Sequence, residues 1–250
     1  GQPITAEMPQ DEVINLIRGP VGTTVRIEVR RSGVNEPLAF TIKRQRIETP
    51  SVQWRMLDVP PGAGYIQITI FTERTAREMA EALRDLKGQG MQKLVLDLRH
   101  NGGGLLDAAI DVSSIFLRDG VVLHEQKTGG EEKSYPVRRQ PVTFDGPVVI
   151  LVDNATASAS EIVAGALQDY GRGILLGEQT FGKGSVQVPH RLSDGSLLRV
   201  TTARWFTPKG RGIEENGLQP DIEVDRTLED RAAGRDPQLD RAVEYLTTGK

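Results

Sequence analysis

The chain is 250 residues long, 38% of them hydrophobic, with 31 Lys and Arg set against 34 Asp and Glu and no cysteine. One large core or two modest ones is within reach of that length, and charges of both signs interspersed along the chain argue against a nucleic-acid partner. The missing thiols exclude cysteine catalysis, thiolate metal sites and disulfides, while the scattered His100, His124 and His190 offer no metal-ligand spacing; no apolar run of about 18 residues and no leader pattern occurs, as expected of a soluble or already trimmed piece.

From the N-terminus, Val13, Ile14, Leu16 and Ile17 of QDEVINLIR (10–18) lie on one helical stripe, and Gly19-Pro20 ends it. TTVRIEVRRSGVNEPLAFTIKRQRI (23–47) alternates on either side of a Ser-Gly and Asn-Glu-Pro turn, which predicts an antiparallel hairpin. GYIQITIF (64–71) reads as a strand, and TERTAREMAEALRDLKGQG as a helix ending at Gly88. KLVLDLR (93–99) is a second strand, running into HNGGGLLDAAIDVSSIFL, where three glycines open a helical pattern. PVVILVD (147–153) is dense in β-branched residues, as a strand covered on both faces must be. NATASASEIVAGALQDYG then gives a helix closed by Gly171. GILLGE and SVQVPHRLSDGSLLRVTTARWFT add strands, the last pair joined at Asp194-Gly195, and RDPQLDRAVEYL predicts a closing helix that starts at Asp236-Pro237. Strands alternating with helices predict an α/β fold with a mixed, partly parallel sheet core flanked by helices.

GEQTFGKGSVQ (177–187) has the glycine, four residues, glycine, lysine spacing of a phosphate-binding loop. Such a loop must open a helix whose free amides hold the phosphates, whereas here S-V-Q-V-P follows. Val186 and Val188 alternate with Ser185 and Gln187, Pro189 blocks a helix, and Gly184 stands where a magnesium-binding Ser or Thr belongs. Lys183 therefore heads a strand, with Gln187 on the same face about 13 Å away between Cα atoms. Gly182 and Gly184 remove side chains on either side of it, as a close approach to another backbone requires. A solvated lysine beside a solvated glutamine is the bland alternative.

DNATASASEIV carries Thr156, Ser158 and Ser160 to a helix N-terminus, where free amides stabilise developing negative charge. Ser158-Ala-Ser-Glu161 also fits a capping box, which has no catalytic content. The glycines at 102–104 close another buried strand, and sites in open α/β sheets gather at the carboxyl ends of strands. A glycine loop there can present one amide to an oxyanion, and the residue after a nucleophilic serine a second.

LDLRHNGGGLLDAA, TASASEIVAGAL and GEQTFGKGSVQ, in this order, resemble the signature of the carboxy-terminal processing proteases, also called tail-specific proteases, Ser/Lys-dyad peptidases of bacteria and plastids. YIQITIF and TARWFTPKGRGIEENGLQPDIEV extend the likeness over nearly the whole chain. The N-terminal helix and hairpin resemble the second half of a PDZ domain, giving a partial PDZ-like α+β segment over 1–46 and a protease core, crotonase/protease-like, over 47–250. The resemblance implies Ser158 as nucleophile, Lys183 as its base, Gln187 as support for the lysine, and the amides of Gly103 and Ala159 as the oxyanion hole. Gly102 stands where that family often has proline or serine.

The resemblance further implies a serine endopeptidase acting near protein C-termini with no metal or organic cofactor. Its partners would be polypeptide substrates with apolar C-termini, with room for an activating adaptor protein and a homo-oligomer, in the periplasm or at the cell-envelope exterior. A lysine with a pKa of about 10.4 is neutral in only about one molecule in 2,500 at pH 7, so a basic role predicts an amine sheltered from water. Bringing it to about 7–8 costs roughly 4 kcal/mol. The competing reading is a catalytically inert fragment or resting form acting as a peptide-binding or assembly protein. A relative of the acyl-CoA hydratases fits less well, because no glutamate pair is apparent and Lys183 would have no role.

Overall fold

The structure, a computed structural model, describes residues 2–5, 7–46, 49–58 and 62–249. It divides into two units, Gly1–Thr49 and Pro50–Lys250. In the first, the predicted stripe forms α1 (Gln10–Ile17), and the alternating segments pair as an antiparallel hairpin of β1 (Thr24–Val29) and β2 (Leu38–Lys43), in register from Thr24 opposite Lys43 to Val29 opposite Leu38. None of the described residues in this unit is buried, and Phe40, Ile42, Val21 and Leu16 are exposed. Ile47 at the end of the predicted hairpin lies outside the described residues.

The second unit is built on a six-stranded sheet in the order β12-β9-β8-β5-β4-β3. Its strands are β3 (Val52–Met56), β4 (Ala63–Ile68), β5 (Lys93–Asp97), β8 (Val148–Val152), β9 (Ile174–Gly177) and β12 (Ile222–Glu223). All neighbours run parallel except β3, which is antiparallel to β4. β8 is buried at every position, as its uninterrupted apolar run requires of a central parallel strand. Pleating sends alternate side chains to opposite faces. Leu94, Leu96, Ile150 and Val152 join the larger core beneath α2 (Thr75–Gly88), α3 (Leu106–Phe116) and α4 (Ala159–Asp169), while Val95, Val149, Leu151 and Leu176 pack with Ala242 and Leu246 of α6 (Pro237–Thr248). Helices thus cover both faces of the sheet, the layered arrangement that βαβ crossovers produce.

A second, antiparallel sheet in the order β10-β11-β6-β7 comprises β6 (Val121–Lys127), β7 (Glu132–Pro136), β10 (Ser185–Arg191) and β11 (Leu197–Phe206). The sequence reading assigns no element to β3, β6, β7, β12 or the short α5 (Leu228–Ala232). β3 buries only Val52 fully, and β7 reads EKSYP with no buried position, so hydrophobic periodicity carries little signal in either. Their pairing partners, which lie elsewhere in the chain or across a turn, make them strands. Among the described residues no helix is long and apolar enough to cross a membrane.

Candidate active site

β8 ends at Val152, and α4 begins at Ala159 after six intervening residues. The turn between them is pinned by the buried Asp153, whose Oδ1 accepts from the His100 and Ala155 amides at 3.0 and 3.1 Å and from the Thr156 hydroxyl at 3.0 Å. Thr156 Oγ1 also reaches the Leu98 carbonyl, 3.0 Å away beyond the end of β5. These bonds force the chain into Ser158 with φ 57° and ψ −116°. Positive φ is costly for any residue with a Cβ, by about 1–3 kcal/mol, and strain of this kind concentrates at functional sites. A serine on a tight strand-to-helix turn presents its hydroxyl outward beside the amide of the next residue. That residue is Ala159, the first of α4, whose amide has no hydrogen-bond acceptor among the described residues.

The glycine loop lies against this turn. A Cβ built on Gly103 would come within 2.8 Å of the Ser158 Cβ and the Ala157 carbonyl oxygen, and within 2.9 Å of the Ala159 nitrogen. Gly103 also has φ 103°, so glycine is required both by the close approach and by the backbone. Asn101, fully buried, holds the loop: its carbonyl accepts from the Ala157 amide at 3.0 Å and the Ser160 hydroxyl at 2.9 Å, and its Nδ2 donates to the Ile68 carbonyl at 2.8 Å. Its Oδ1 accepts the Gly103 amide at 2.9 Å. Here the structure departs from the expected oxyanion hole. The Gly103 amide sits beside Ser158 but is already satisfied by a side chain two residues away.

The strongest link in the site is one the sequence reading assigned to helix capping alone. Glu161 is fully buried and reaches back to the Ser158 amide at 2.8 Å, as in a capping box. The same carboxylate accepts from Thr180 Oγ1 at 2.6 Å, the Gly182 amide at 2.7 Å and the Lys183 amide at 2.9 Å. Both Ser158 N and Lys183 N bond to Oε2, so the two nitrogens are no more than 5.7 Å apart, the sum of 2.8 and 2.9 Å. A second tie runs from the Phe181 amide to the Thr156 carbonyl, 2.9 Å. The segment bearing Lys183 passes close to the loop before β12: a Cβ on Gly184 would lie 2.3 Å from the Glu214 nitrogen, which explains the glycine. It then enters β10, so the phosphate-loop reading fails for the predicted reason.

The lysine side chain is another matter. Lys183 is exposed, and among the described residues neither the Ser158 hydroxyl nor any other group is hydrogen-bonded to its amine. The expectation of an amine sheltered from water is not met in this state, because the glycines that let the backbone approach Glu161 also leave the side chain uncovered. Gln187 is exposed on β10, next to a register shift at Val186/Gln187, and no hydrogen bond joins it to Lys183. The structure therefore gathers Ser158, Ala159, Gly103 and the Lys183 backbone, and leaves Gln187 apart. Asn101, Asp153, Thr180 and Glu161 escaped the sequence reading as site residues, and only the S-x-x-E spacing of Glu161 carried a local signal.

Below the glycine loop, Arg99 anchors the end of β5. Burial opposes its charge, but hydrogen bonds to Asp97 and Asp236 outweigh that and hold the guanidinium well above its ordinary pKa. Tyr65, half-buried and bonded to Asp97 at 2.6 Å, is pushed far above the usual phenol value by burial first and by that carboxylate second. This network ties β4, β5 and the start of α6 beneath the site. Among the described residues no group of three or more His, Cys, Asp or Glu is arranged to hold a metal ion.

Such a fold and turn define an α/β protein with a serine on a strained elbow at the carboxyl edge of its sheet. The family follows from comparison, in which the model of peptidase family S41 matches residues 62–224. This chain belongs to peptidase family S41. It is 39% identical over 250 residues to a carboxyl-terminal-processing protease of Synechocystis sp., covering 98% of this chain and 58% of that protein. It is 39% identical over 220 residues to the carboxy-terminal processing protease CtpA of Bacillus subtilis, covering 87% and 46%. Among solved structures, the photosystem II D1 C-terminal processing protease is similar at 33% identity and a TM-score of 0.64, over 87% of this chain and 60% of that one. The chain thus spans about half the length of the curated relatives it matches.

Proposed function

We propose that this chain is the catalytic part of a serine endopeptidase that cleaves polypeptides near their C-termini, with Ser158 as nucleophile and Lys183 as general base. The observation that carries the reading is the Glu161 carboxylate holding both residues' amides on one oxygen. The neutral lysine takes the Ser158 proton as the hydroxyl attacks the scissile carbonyl, then passes it to the leaving amine; water, activated by the same lysine, releases the acyl group. The Ala159 amide is one oxyanion donor, and the Gly103 amide becomes the second once it leaves Asn101 Oδ1. Gln187 orients the amine after β10 shifts toward it. No metal or organic cofactor enters any step.

Burial disfavours the charged form of a lysine, so the base must be created by covering the amine. A bound peptide supplies that cover, since Phe181 (64% exposed) and Leu105 (47% exposed) flank the Lys183 and Gly103 segments with apolar surface. The same surface suits substrates with apolar C-termini. In this reading residues 1–46 are part of a PDZ module for tail recognition, the enzyme works in the periplasm or outside the cell envelope, and an adaptor protein or self-association completes activation. A second reading, a resting or inert peptide binder, is favoured by the exposed lysine and the occupied Gly103 amide. A fluorophosphonate probe with peptide present decides: stoichiometric labelling of Ser158, lost in Lys183→Ala, supports the peptidase, and tight peptide binding with no labelling refutes it.

A further inference from the structure

The β10–β11 hairpin extends from the Lys183 segment, and its two faces differ sharply in chemistry. Cross-strand partners share a face of an antiparallel pair. On one face lie Val186, Val188 and His190 with Ala203, Val200 and Leu198; Ala203 is buried at its root, and Val188, Val200 and Leu198 are exposed further out. On the other lie Ser185, Gln187, Pro189 and Arg191, paired with Arg204, Thr201, Arg199 and Leu197. The second face is therefore cationic along its length: Arg204 at the root, Arg199 midway and Arg191 near the tip, all exposed. Lys183 precedes its first residue by two positions, and the bond from the Trp205 amide to the Gly184 carbonyl, 2.6 Å, continues the ladder to that point.

Among the described residues no ion pair neutralises this face. Among the described residues Arg191, Arg199 and Arg204 have no carboxylate within salt-bridge distance. The neighbouring acids are otherwise engaged: Asp194 at the tip accepts from Ser196, and Glu132, reached from Arg204 across Gln126, accepts from Gln126. The chain as a whole carries a net charge of −3, so three unpaired arginines on one strand pair are a local departure from the average. Unpaired cations on a low-dielectric protein surface attract and orient an anionic partner.

We propose that this face is an acidic-segment subsite: a stretch of polypeptide substrate bearing Asp or Glu within about eight residues of the scissile bond lies along β10 and β11 and meets Arg204, Arg199 and Arg191 in turn. Eight residues of extended chain span the roughly 26 Å from Lys183 to Arg191. Planar guanidiniums suit carboxylates, which they bind in two-pronged fashion. This inference rests on the endopeptidase reading for the word substrate, but the binding it describes does not depend on cleavage.

The test uses the 250-residue chain carrying Ser158→Ala and fluorescent peptides that share one apolar C-terminus and differ only in an upstream stretch, Asp/Glu-rich or Ser/Gln-rich. Anisotropy should show the acidic peptide binding about tenfold more tightly at low salt, with the preference erased by high salt and by the pair Arg191→Glu and Arg199→Glu. Equal affinity for the two peptides at low salt, or an equal loss for both in the charge-reversed pair, would overturn the proposal. Should that pair fail to fold, as read by its melting curve, the salt dependence of the preference decides alone. With the serine restored, kcat/KM for the same peptides tests the parent reading separately: absent cleavage sinks the peptidase, and the acidic preference in binding still stands or falls by itself.

Discussion

The two sides of the candidate site are built in opposite ways. On the serine side the framework is buried and hydrogen-bonded: Asp153, Asn101, Thr156 and Glu161 knot the ends of β4, β5 and β8 to the head of α4. On the lysine side only the backbone is held, through Glu161, and the side chains of Lys183 and Gln187 lie in solvent at the root of an exposed hairpin. Buried, saturated hydrogen-bond networks are rigid, whereas exposed side chains on a hairpin root are free to move. In the proposed mechanism the nucleophile and its strain are thus prebuilt, and the base is the part left for substrate to complete.

Breaking the lysine side should remove chemistry and leave the fold. Lys183→Ala is expected to lower peptide cleavage by about 10⁴-fold or more while shifting the melting temperature by no more than about 1 °C; a melt several degrees lower would mean the lysine side carries structure after all. Breaking the shared link should cost both. Glu161→Ala strands four donors, each worth about 1–3 kcal/mol when left unsatisfied, so a total loss of roughly 3–5 kcal/mol is expected in denaturant titration, together with loss of Ser158 labelling.

Smaller changes sharpen the contrast. Gly103→Ala pushes a methyl into the Ser158 Cβ and the Ala157 carbonyl and is expected to cost about 1–3 kcal/mol, with labelling falling further than stability alone explains. The edge of the large sheet, where α2 meets the start of β3, should also weaken in acid. Burial raises the pKa of Glu78, but hydrogen bonds from Ser51 and Val52 and the nearby Arg74 outweigh it and leave it below the usual range. A depressed carboxylate contributes stability that is complete above its unfolded pKa and vanishes as pH drops through its folded pKa. Melting temperature should therefore fall in acid, and less steeply in Glu78→Gln. Least of all, Val188→Ser on the hairpin should change stability by about 0.5 kcal/mol or less, since that strand position is exposed.

Much of this was legible before any coordinates. The apolar run at 147–153 and the alternation at 64–71 locate central strands because burial on one or both faces writes itself into hydrophobicity. The three motifs around Ser158, Lys183 and the glycines at 102–104 single out the candidate site through the resemblance that their residue types and order carry. β3 and β7 were not legible, because strands with polar, exposed positions owe their form to a partner elsewhere in the chain. The engagement of the Gly103 amide was not legible either: a glycine at a strand end announces a close approach, but whether its amide is free depends on where the Asn101 side chain turns.

The sequence by itself determined the α/β class and the order of the central elements, which follow from periodicity and turn chemistry, and, through the resemblance carried by three ordered motifs, named the candidate serine, lysine and glycines. Only the tertiary structure decided that Glu161 is the bridge between serine and lysine, that the Gly103 amide is taken, and that the lysine amine stands in water. Hydrogen bonds between residues 19 to 59 positions apart and the burial of a side chain are properties of the packed chain, and no local pattern encodes them.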